Sequence, residues 1–333
     1  MIKLLKKIKI TPLAAESFGV RSMAIVVETP DTKILIDPGC ALGPRRGDAK
    51  KFYYPHPLEY KALKECTEKI LAASKEAEIL IISHYHYDHH KPQFTDYFTI
   101  YSNKEIARQI YSDKIIYAKD FHDNINASQR KRGFLFNKIM KKHFKKIHFI
   151  DAKTLQKGNT EFKFSPPVFH GEIKAKGGWV IMCSIIYDDE KFLFASDVQG
   201  PMNKNALDII LDQKPNVAYI GGPPTYLRNL LSDDVLNQAL KYMSELAGKI
   251  PCLIIDHHLL RDKDWRIWSD SIFNIGLKKK HRVLCASEYI NKPEKILEAI
   301  RESLYKNNPP NENFINWLSL PEKKRAKIIP PIN

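Results

Sequence analysis

The stretch ISHYHYDHH (residues 82–90) holds four histidines and one aspartate, in a chain with 12 histidines among 333 residues. It follows an apolar run that predicts a β-strand, so the cluster lies at the C-terminal end of that strand. In a segment that remains extended, residues i and i+2 point to the same side, so His84 and His86 can bind one metal ion. A turn after them would bring Asp88 and His89 to a second ion.

The donor atoms of this cluster are nitrogens and a carboxylate, without a thiolate. Such a set suits Zn²⁺, and Fe or Mn can also accept it. The alternative is a polar loop in which histidines gather by chance, and the density of histidines makes that improbable. We therefore expect a site for two metal ions, with zinc as the first choice.

Three later segments also end an apolar strand in a polar residue. SPPVFHGE contains His170, KFLFASD ends in Asp197, and PCLIIDHH ends in the adjacent His257 and His258. Sites on layered α/β folds are often built where strands end. One histidine at a strand end is more often structural, but three such segments after the cluster favour shared metal binding.

The coarse pattern is strands first and then strands alternating with helices, in both halves of the chain. MAIVVET and KILIDPG predict paired strands, and YFTIYS predicts another strand. Helices are predicted from Pro57 and over 232–247, the second stopped by Gly248. This order indicates two sheets with helices outside, in a single domain over 1–333 with a C-terminal helix and tail over about 293–333.

Positive charge is concentrated in one segment of a chain whose formal net charge is +15. No acidic residue occurs between Asp123 and Asp151, and the segment over about 121–147 predicts a loop and a helix. Its basic residues are Arg130, Lys131, Arg132, Lys138, Lys141, Lys142, Lys145 and Lys146. Residues 129–146 are therefore a candidate surface for nucleic acid or another phosphate-rich partner, and the alternative is a solvated helix face.

No membrane segment is predicted, because no stretch of about 18 apolar residues occurs. The N-terminus MIKLLKKIKI lacks the apolar core of a signal peptide and predicts an edge strand. The five cysteines are an odd number at wide spacings without a C-x-x-C motif, which is typical of buried thiols in a reducing compartment. These features lead us to expect a cytoplasmic protein.

Taken together, the motifs resemble the metallo-β-lactamase superfamily. ILIDPG is similar to its early aspartate segment, SHYHYDHH to its histidine motif and IDHH to its final histidine. The resemblance covers about residues 8–290 and implies an α/β fold, a four-layer αββα sandwich with the basic segment as a helical insertion. ESFGVRSMA, LIDPGCALGPRR and IDHHLLRD are also similar to a group of uncharacterised, mainly archaeal members, which implies no substrate.

The resemblance also implies a role for each candidate residue. The first ion would be held by His84, His86 and His170, the second by Asp88, His89 and His257, with Asp197 bridging both. A hydroxide bridging the two ions would be the nucleophile, and Asp88 would orient the attacking water or take its proton. Asp37 would support a ligand histidine from behind, or is only a turn residue.

Two features depart from the superfamily pattern. Two adjacent histidines stand where the superfamily has one, and we prefer His257 over His258 because it directly extends the strand. Arg261 lies four residues beyond His257, as in the RNA-processing branch. His86 stands where the flavo-diiron branch has glutamate, which favours a hydrolase over an oxygen-reducing iron protein. His90 is an additional histidine that we expect to lie outside the ligand set.

Two further residues are candidates for substrate contact. Tyr226 lies in YIGGPPTYL, and His56 lies in YPHPLEY. For both residues the alternative is a packed structural side chain.

The substrate remains open between three classes. A phosphodiesterase or nuclease fits a two-metal site beside a basic segment. A small-molecule ester, thioester or lactone hydrolase would use the basic segment as a lid. A binding protein without activity is the third class, and the complete ligand set argues against it.

Overall fold

Two large sheets form the centre of the protein in the computed structural model, which describes residues 5–43, 46–47, 52–173 and 176–332. The strands are β1 Lys9–Pro12, β2 Ile25–Glu28, β3 Lys33–Ile36, β4 Arg46–Gly47, β5 Phe52–Tyr53, β6 Ile79–Ile82, β7 Ile115–Ala118, β8 Lys146–Phe149, β9 Thr154–Lys157, β10 Thr160–Phe164, β11 Val168–Phe169, β12 Trp179–Val180, β13 Cys183–Tyr187, β14 Glu190–Ser196, β15 Val217–Gly221, β16 Cys252–Asp256 and β17 Arg282–Leu284.

The two sheets have related topologies. The first has the order β1-β2-β3-β6-β7-β8 and the second the order β17-β16-β15-β14-β13-β10-β9, while β4-β5 and β11-β12 are separate short pairs. In each large sheet antiparallel neighbours come first along the chain and parallel neighbours follow. The predicted pairing of MAIVVET with KILIDPG is confirmed as β2 against β3.

Helices connect the parallel strands and continue to the C-terminus. They are α1 Pro57–Glu76, α2 Lys104–Tyr111, α3 Ala127–Met140, α4 Lys204–Gln213, α5 Asp233–Lys249, α6 Trp265–Trp268, α7 Asp270–Lys278, α8 Ala286–Tyr289, α9 Arg301–Asn307, α10 Glu312–Leu318 and α11 Glu322–Arg325. The helix predicted from Pro57 is confirmed, with Pro57 in its first turn. The basic segment forms α3, which connects the parallel neighbours β7 and β8.

The alternation of side chains along the strands explains the layers. In β14, Phe192 and Phe194 belong to the core that also contains strands of the first sheet, such as Ile34. Leu193 and Ala195 point to the opposite face and pack in a second cluster with residues of α4 and α5. Because successive residues of a strand alternate between faces, one strand contributes to both clusters. The predicted αββα sandwich is therefore confirmed.

Three predicted element boundaries differ from the structure. Residues 97–100 form a turn where a strand over 97–102 is predicted, because the Asp96 carboxylate accepts the amides of Phe98 and Thr99, both at 2.8 Å. Helix α5 passes Gly248 and ends at Lys249, since the following proline favours an extended Ile250. The C-terminal helix begins at residue 301 rather than near 293, because residues 292–296 run without helical structure.

The five cysteines are all free and buried, as the sequence predicts. Within the residues that the structure describes, no helix is both long enough and apolar enough to cross a membrane.

Candidate metal centre

The edge of the first sheet brings the histidine cluster beside Asp37. Asp37 follows β3 and Ser83 follows β6, and these parallel neighbours end at the same edge. The Ser83 amide donates to Asp37 Oδ1 at 2.8 Å. The backbone passes very close to Gly39, where an added Cβ would lie 2.3 Å from the His90 nitrogen. Only glycine fits there, so the Pro-Gly turn allows the cluster to fold back over β3.

One group of donor atoms combines the first two histidines with two later residues. His84, His86, His170 and Asp197 offer ligand atoms that lie within 4.8 Å of one another. His84 Nε2 and His86 Nδ1 are 3.1 Å apart, and His170 Nε2 is 2.6 Å from Asp197 Oδ2. The structure thus brings together the residues predicted for the first ion.

A second group combines the rest of the cluster with the end of β16. Asp88, His89 and His257 also offer ligand atoms within 4.8 Å of one another. His257 Nε2 lies 3.4 Å from His89 Nε2 and 3.6 Å from Asp88 Oδ2. His257 has a φ of 65°, an unusual conformation for a residue with a side chain. This backbone conformation turns its ring inward from the strand end.

Asp197 lies between the two groups. The register of β14 shifts between Phe194 and Ser196, and Ser196 has a φ of 58°. This irregularity lies just before the end of β14 and directs Asp197 into the site. Its Oδ2 atom is 2.6 Å from His170 Nε2 and 3.3 Å from His257 Nε2. A bridging position is therefore geometrically available to Asp197.

The polar atoms at the centre fit a bound metal ion. His170 Nε2 and Asp197 Oδ1 are buried, and neither forms a hydrogen bond of suitable geometry with any residue that the structure describes. An unsatisfied buried polar atom is costly, so such atoms normally have a partner. The donors are imidazoles and carboxylates, the set expected for Zn²⁺, with Fe and Mn also compatible. These side chains could hold two ions.

Two carboxylates lie behind ligand histidines. Asp37 Oδ2 accepts from His89 Nδ1 at 2.7 Å, as the sequence predicted for an imidazole partner. Glu16 Oε2 lies 3.5 Å from His257 Nδ1 and forms no hydrogen bond within the described part of the chain. A carboxylate that is hydrogen-bonded to the far nitrogen fixes the tautomer so that Nε2 faces the metal, as Asp37 does for His89. Glu16 is not among the predicted site residues, because its only distinguishing feature in the sequence is that it is an acidic residue in a buried segment.

The adjacent histidines have different surroundings. His258 Nε2 is 3.1 Å from Asp197 Oδ2, whereas His258 Nδ1 faces the Tyr226 hydroxyl at 3.2 Å and Arg261 Nη1 at 3.2 Å. His258 belongs to a donor group with Asp197 and His257, but not to the group that contains Asp88 and His89.

The other two candidate residues lie in different environments. Tyr226 stacks on the His258 ring and lines a cleft of about 610 Å³. His56 instead caps α1: its Nδ1 accepts the Leu58 amide, and its Nε2 lies 2.7 Å from the Asn308 carbonyl oxygen. Both ring nitrogens are thus used by the backbone, so His56 is not a substrate contact. His90 is outside all four donor groups, and its Nδ1 contacts the His86 carbonyl.

Burial and neighbouring charges separate the histidines by pKa. Burial and the adjacent His170 lower the pKa of His86 to about 3, and burial also holds the pKa of His84 well below its usual range. Burial alone would lower the pKa of His257, but the charge of Asp197 outweighs it and raises the pKa to about 9. At neutral pH His257 therefore carries an additional proton that the other two lack.

We expect this difference to make the two ions load with different pH dependence. A ligand nitrogen must be deprotonated, so His257 releases a proton when an ion binds. Below pH 9 the affinity for the second ion should rise about tenfold per pH unit, while His84 and His86 impose no such dependence on the first ion. Competition with a chromophoric chelator at several pH values measures both affinities. A second affinity that does not change with pH would contradict the assignment of His257.

The solved structures that match this chain are distant from it in sequence, and no family model matches the chain. Among solved structures, the metallo-β-lactamase fold protein YhfI from Bacillus subtilis is 14% identical, with a TM-score of 0.49 over 84% of this chain and 97% of that one. A metal-dependent hydrolase of the β-lactamase superfamily is 12% identical, with a TM-score of 0.43 over 84% and 95% of the two chains. The two sheets with helices outside are the four-layer α/β architecture that the sequence analysis predicts.

Two archaeal relatives are similar over nearly their whole length. The UPF0282 protein of Korarchaeum cryptofilum is 37% identical over 306 residues, which are 92% of this chain and 97% of the relative. The UPF0282 protein of Methanocaldococcus jannaschii is 40% identical over 309 residues, 92% and 99% of the two chains. The sequence predicts membership of a mainly archaeal group, and these archaeal relatives confirm that prediction. The chain belongs to the UPF0282 family.

Proposed function

We propose that this protein is a metal-dependent hydrolase that cleaves phosphodiesters, nucleic acids included, with two zinc ions. The observation that carries the proposal is the pair of donor groups that meet at Asp197. Two bound ions would supply an activated water as nucleophile and would polarise the scissile phosphoryl oxygen.

The protein's own side chains contribute orientation and proton transfer. Asp37 fixes the orientation of His89 through the hydrogen bond to Nδ1, and Glu16 lies 3.5 Å from His257 Nδ1. The Asp88 side chain is 19% exposed, whereas that of Asp197 is 1% exposed. Asp88 is therefore the carboxylate that an incoming water can reach, and its oxygen accepts the proton of that water.

The position of the basic helix α3 favours a phosphate-rich substrate, because this helix packs directly against residues of the histidine cluster (82–90). Gln129 Oε1 accepts the Tyr85 amide at 3.1 Å, and Arg132 Nη1 donates to the Tyr85 carbonyl at 3.3 Å. The Arg132 guanidinium also lies 4.4 Å from the centre of the Tyr87 ring. Arg130 and Lys131 are exposed on the same helix. Positive charge next to a two-metal site attracts a phosphate backbone.

The cleft beside Tyr226 favours a second candidate, a small-molecule ester, thioester or lactone hydrolase. Its volume of about 610 Å³ is within the range of small-ligand pockets. The cleft is lined by Tyr53, Tyr226, Arg228, Asn229, Asp262, Lys263, Asp264, Ala299, Ile300, Glu302, Ser303 and Lys306. The charges of three basic and three acidic lining residues cancel, so the cleft suits a neutral substrate better than a polyanion.

A substrate screen with the zinc-loaded protein tests the proposal. We expect hydrolysis of a bis-aryl phosphodiester and of single-stranded RNA, with loss of activity after chelation and recovery when zinc is added back. Elemental analysis should find about two ions per chain. Turnover of lactones or thioesters alone would favour the second candidate. A purified protein without bound transition metal that gains none on loading would refute the proposal.

We expect binding of single-stranded nucleic acid to depend steeply on salt and on α3. Replacing Arg130 and Lys131 by alanine should reduce the slope of log Kd against log salt by about 0.7 for each phosphate that these side chains neutralise. The matched control replaces Lys278 and Lys279, which are exposed at the end of α7, and should leave the slope unchanged. Fluorescence anisotropy measures the slope for the unmodified protein, the α3 variant and the α7 control. Equal slopes for these three proteins would count against α3 as the binding surface.

A further inference from the structure

We propose that His258 is a positioning residue rather than a metal ligand: its Nε2–H group holds the carboxylate of Asp197, and Arg261 and Tyr226 fix the proton on that nitrogen. This inference rests on the proposed function only in that Asp197 binds metal ions. It assigns different tasks to two adjacent histidines, of which the sequence already favours His257 as the ligand.

The Nδ1 side of the ring determines the position of the proton. Arg261 Nη1 lies 3.2 Å from His258 Nδ1. A guanidinium has only hydrogen-bond donors, so a proton on His258 Nδ1 would point at an N–H group of Arg261. The Tyr226 hydroxyl, also at 3.2 Å, can donate to the same nitrogen. His258 Nδ1 therefore carries a lone pair and accepts hydrogen bonds.

The Nε2 side then has to carry the proton. A neutral imidazole has one N–H group, and Nδ1 is occupied as an acceptor. His258 Nε2 lies 3.1 Å from Asp197 Oδ2, so it donates to that oxygen. A nitrogen that carries a proton offers no lone pair to a metal ion. His258 thus holds Asp197 in place without occupying a coordination position.

His257 has different surroundings. Its Nδ1 lies 3.5 Å from Glu16 Oε2, and Arg261 Nη2 lies 3.3 Å from each of its ring nitrogens. Its Nε2 faces Asp88 and His89, at 3.6 and 3.4 Å. Of the two adjacent histidines, only His257 therefore places a ring nitrogen beside Asp88 and His89.

Gln199 connects His258 with a ligand of the first group. The amide nitrogen of Gln199 lies 3.2 Å from His170 Nδ1 and 3.4 Å from His258 Nε2. The two ends of an amide can exchange places by a 180° rotation, and the assignment follows the hydrogen-bond network. When His170 uses Nε2 as a ligand, its Nδ1–H can donate to the carbonyl oxygen of Gln199, which then also faces the Nε2–H group that His258 donates to Asp197. The side chain then fixes His170 and His258 relative to each other.

Metal content distinguishes a ligand from a positioning residue. We expect His258→Ala to retain two zinc ions per chain and His257→Ala to retain one, by elemental analysis after loading. With cobalt as the probe metal, His258→Ala should keep the visible absorption spectrum of the unmodified protein, and His257→Ala should change it. Loss of an ion in His258→Ala, with two retained in His257→Ala, would overturn the proposal.

Kinetics and rescue separate positioning from a general packing role. Hydrolysis of a bis-aryl phosphodiester by His258→Ala should show a kcat lowered by about 10- to 100-fold with little change in KM. His258→Gln, whose amide N–H can reach the position of Nε2–H, should recover part of kcat. The matched control is His281→Gln, a half-buried histidine bound to the Ala247 carbonyl, which should not change kcat. Equal loss in His258→Ala and His258→Gln would contradict hydrogen-bond donation.

A direct measurement of the tautomer does not depend on activity. Long-range ¹H–¹⁵N spectra of the histidine-labelled protein, with and without zinc, report which ring nitrogen is protonated. We expect His258 to carry its proton on Nε2, and a proton on Nδ1 would overturn the inference. If the protein has this tautomer but no hydrolase activity, the proposed function fails while the assignment of His258 stands.

Discussion

Replacing Asp197 by asparagine should lower phosphodiester hydrolysis by about 10³-fold or more, because loss of metal assistance costs several kcal/mol of transition-state stabilisation. The metal content should fall from two ions per chain to one or fewer. Asp197 Oδ2 lies within reach of both donor groups, 2.6 Å from His170 Nε2 and 3.3 Å from His257 Nε2. An amide of the same shape keeps the packing but removes the negative charge that two cations share. The readouts are elemental analysis and initial rates at saturating zinc.

A matched surface variant controls for the loss of a carboxylate. Asp208→Asn removes an exposed aspartate on α4 that pairs with Lys204, and should change neither metal content nor rate. Circular dichroism of Asp197→Asn should show a folded protein, because the substitution preserves size. Retention of two ions and of full activity in Asp197→Asn would be incompatible with a bridging role.

The residues of the candidate site that follow simple patterns could be predicted from the sequence. His84 and His86 are two positions apart after a strand, and the structure places their ligand atoms 3.1 Å from each other. His170, Asp197 and His257 each follow a strand, and the parallel strands β14, β15 and β16 deliver their ends to one edge. The two-residue spacing along a strand and the position of a strand's end are local features, so a single sequence is sufficient to recognise them.

The residues that support the site could not be predicted in this way. Glu16 belongs to no periodic pattern, and its partner Arg261 is 245 positions away in the chain. Gln199 acquires its role only when two separate loops meet at His170 and His258. His56 resembled a site histidine because composition does not distinguish a ligand from a helix cap. Such contacts depend on how loops pack in three dimensions, which residue spacing does not encode.

The C-terminal segment shows the same limit and leads to the second large prediction. Residues 293–333 looked like a terminal helix and a polar tail, but Arg301 is fully buried. Its Nε and Nη2 atoms donate to the two oxygens of Glu59, each at 2.8 Å, and Glu59 also accepts the His56 amide. Phe314 and Trp317 pack in the core around α1. The segment is therefore integral to the fold.

Replacing Arg301 by methionine should lower the free energy of unfolding by about 3–5 kcal/mol, because it leaves the Glu59 carboxylate buried without its partner. Replacing Glu59 and Arg301 together by methionine should cost much less than the sum of the two single changes, since no charge is then left unpaired. Guanidinium denaturation at fixed zinc concentration measures the cycle. Lys64→Met, which removes one partner of an exposed pair on α1, is the control and should cost less than about 0.5 kcal/mol. Additive single changes, or an Arg301→Met as stable as the control, would mean that the pair does not attach the C-terminal segment to α1.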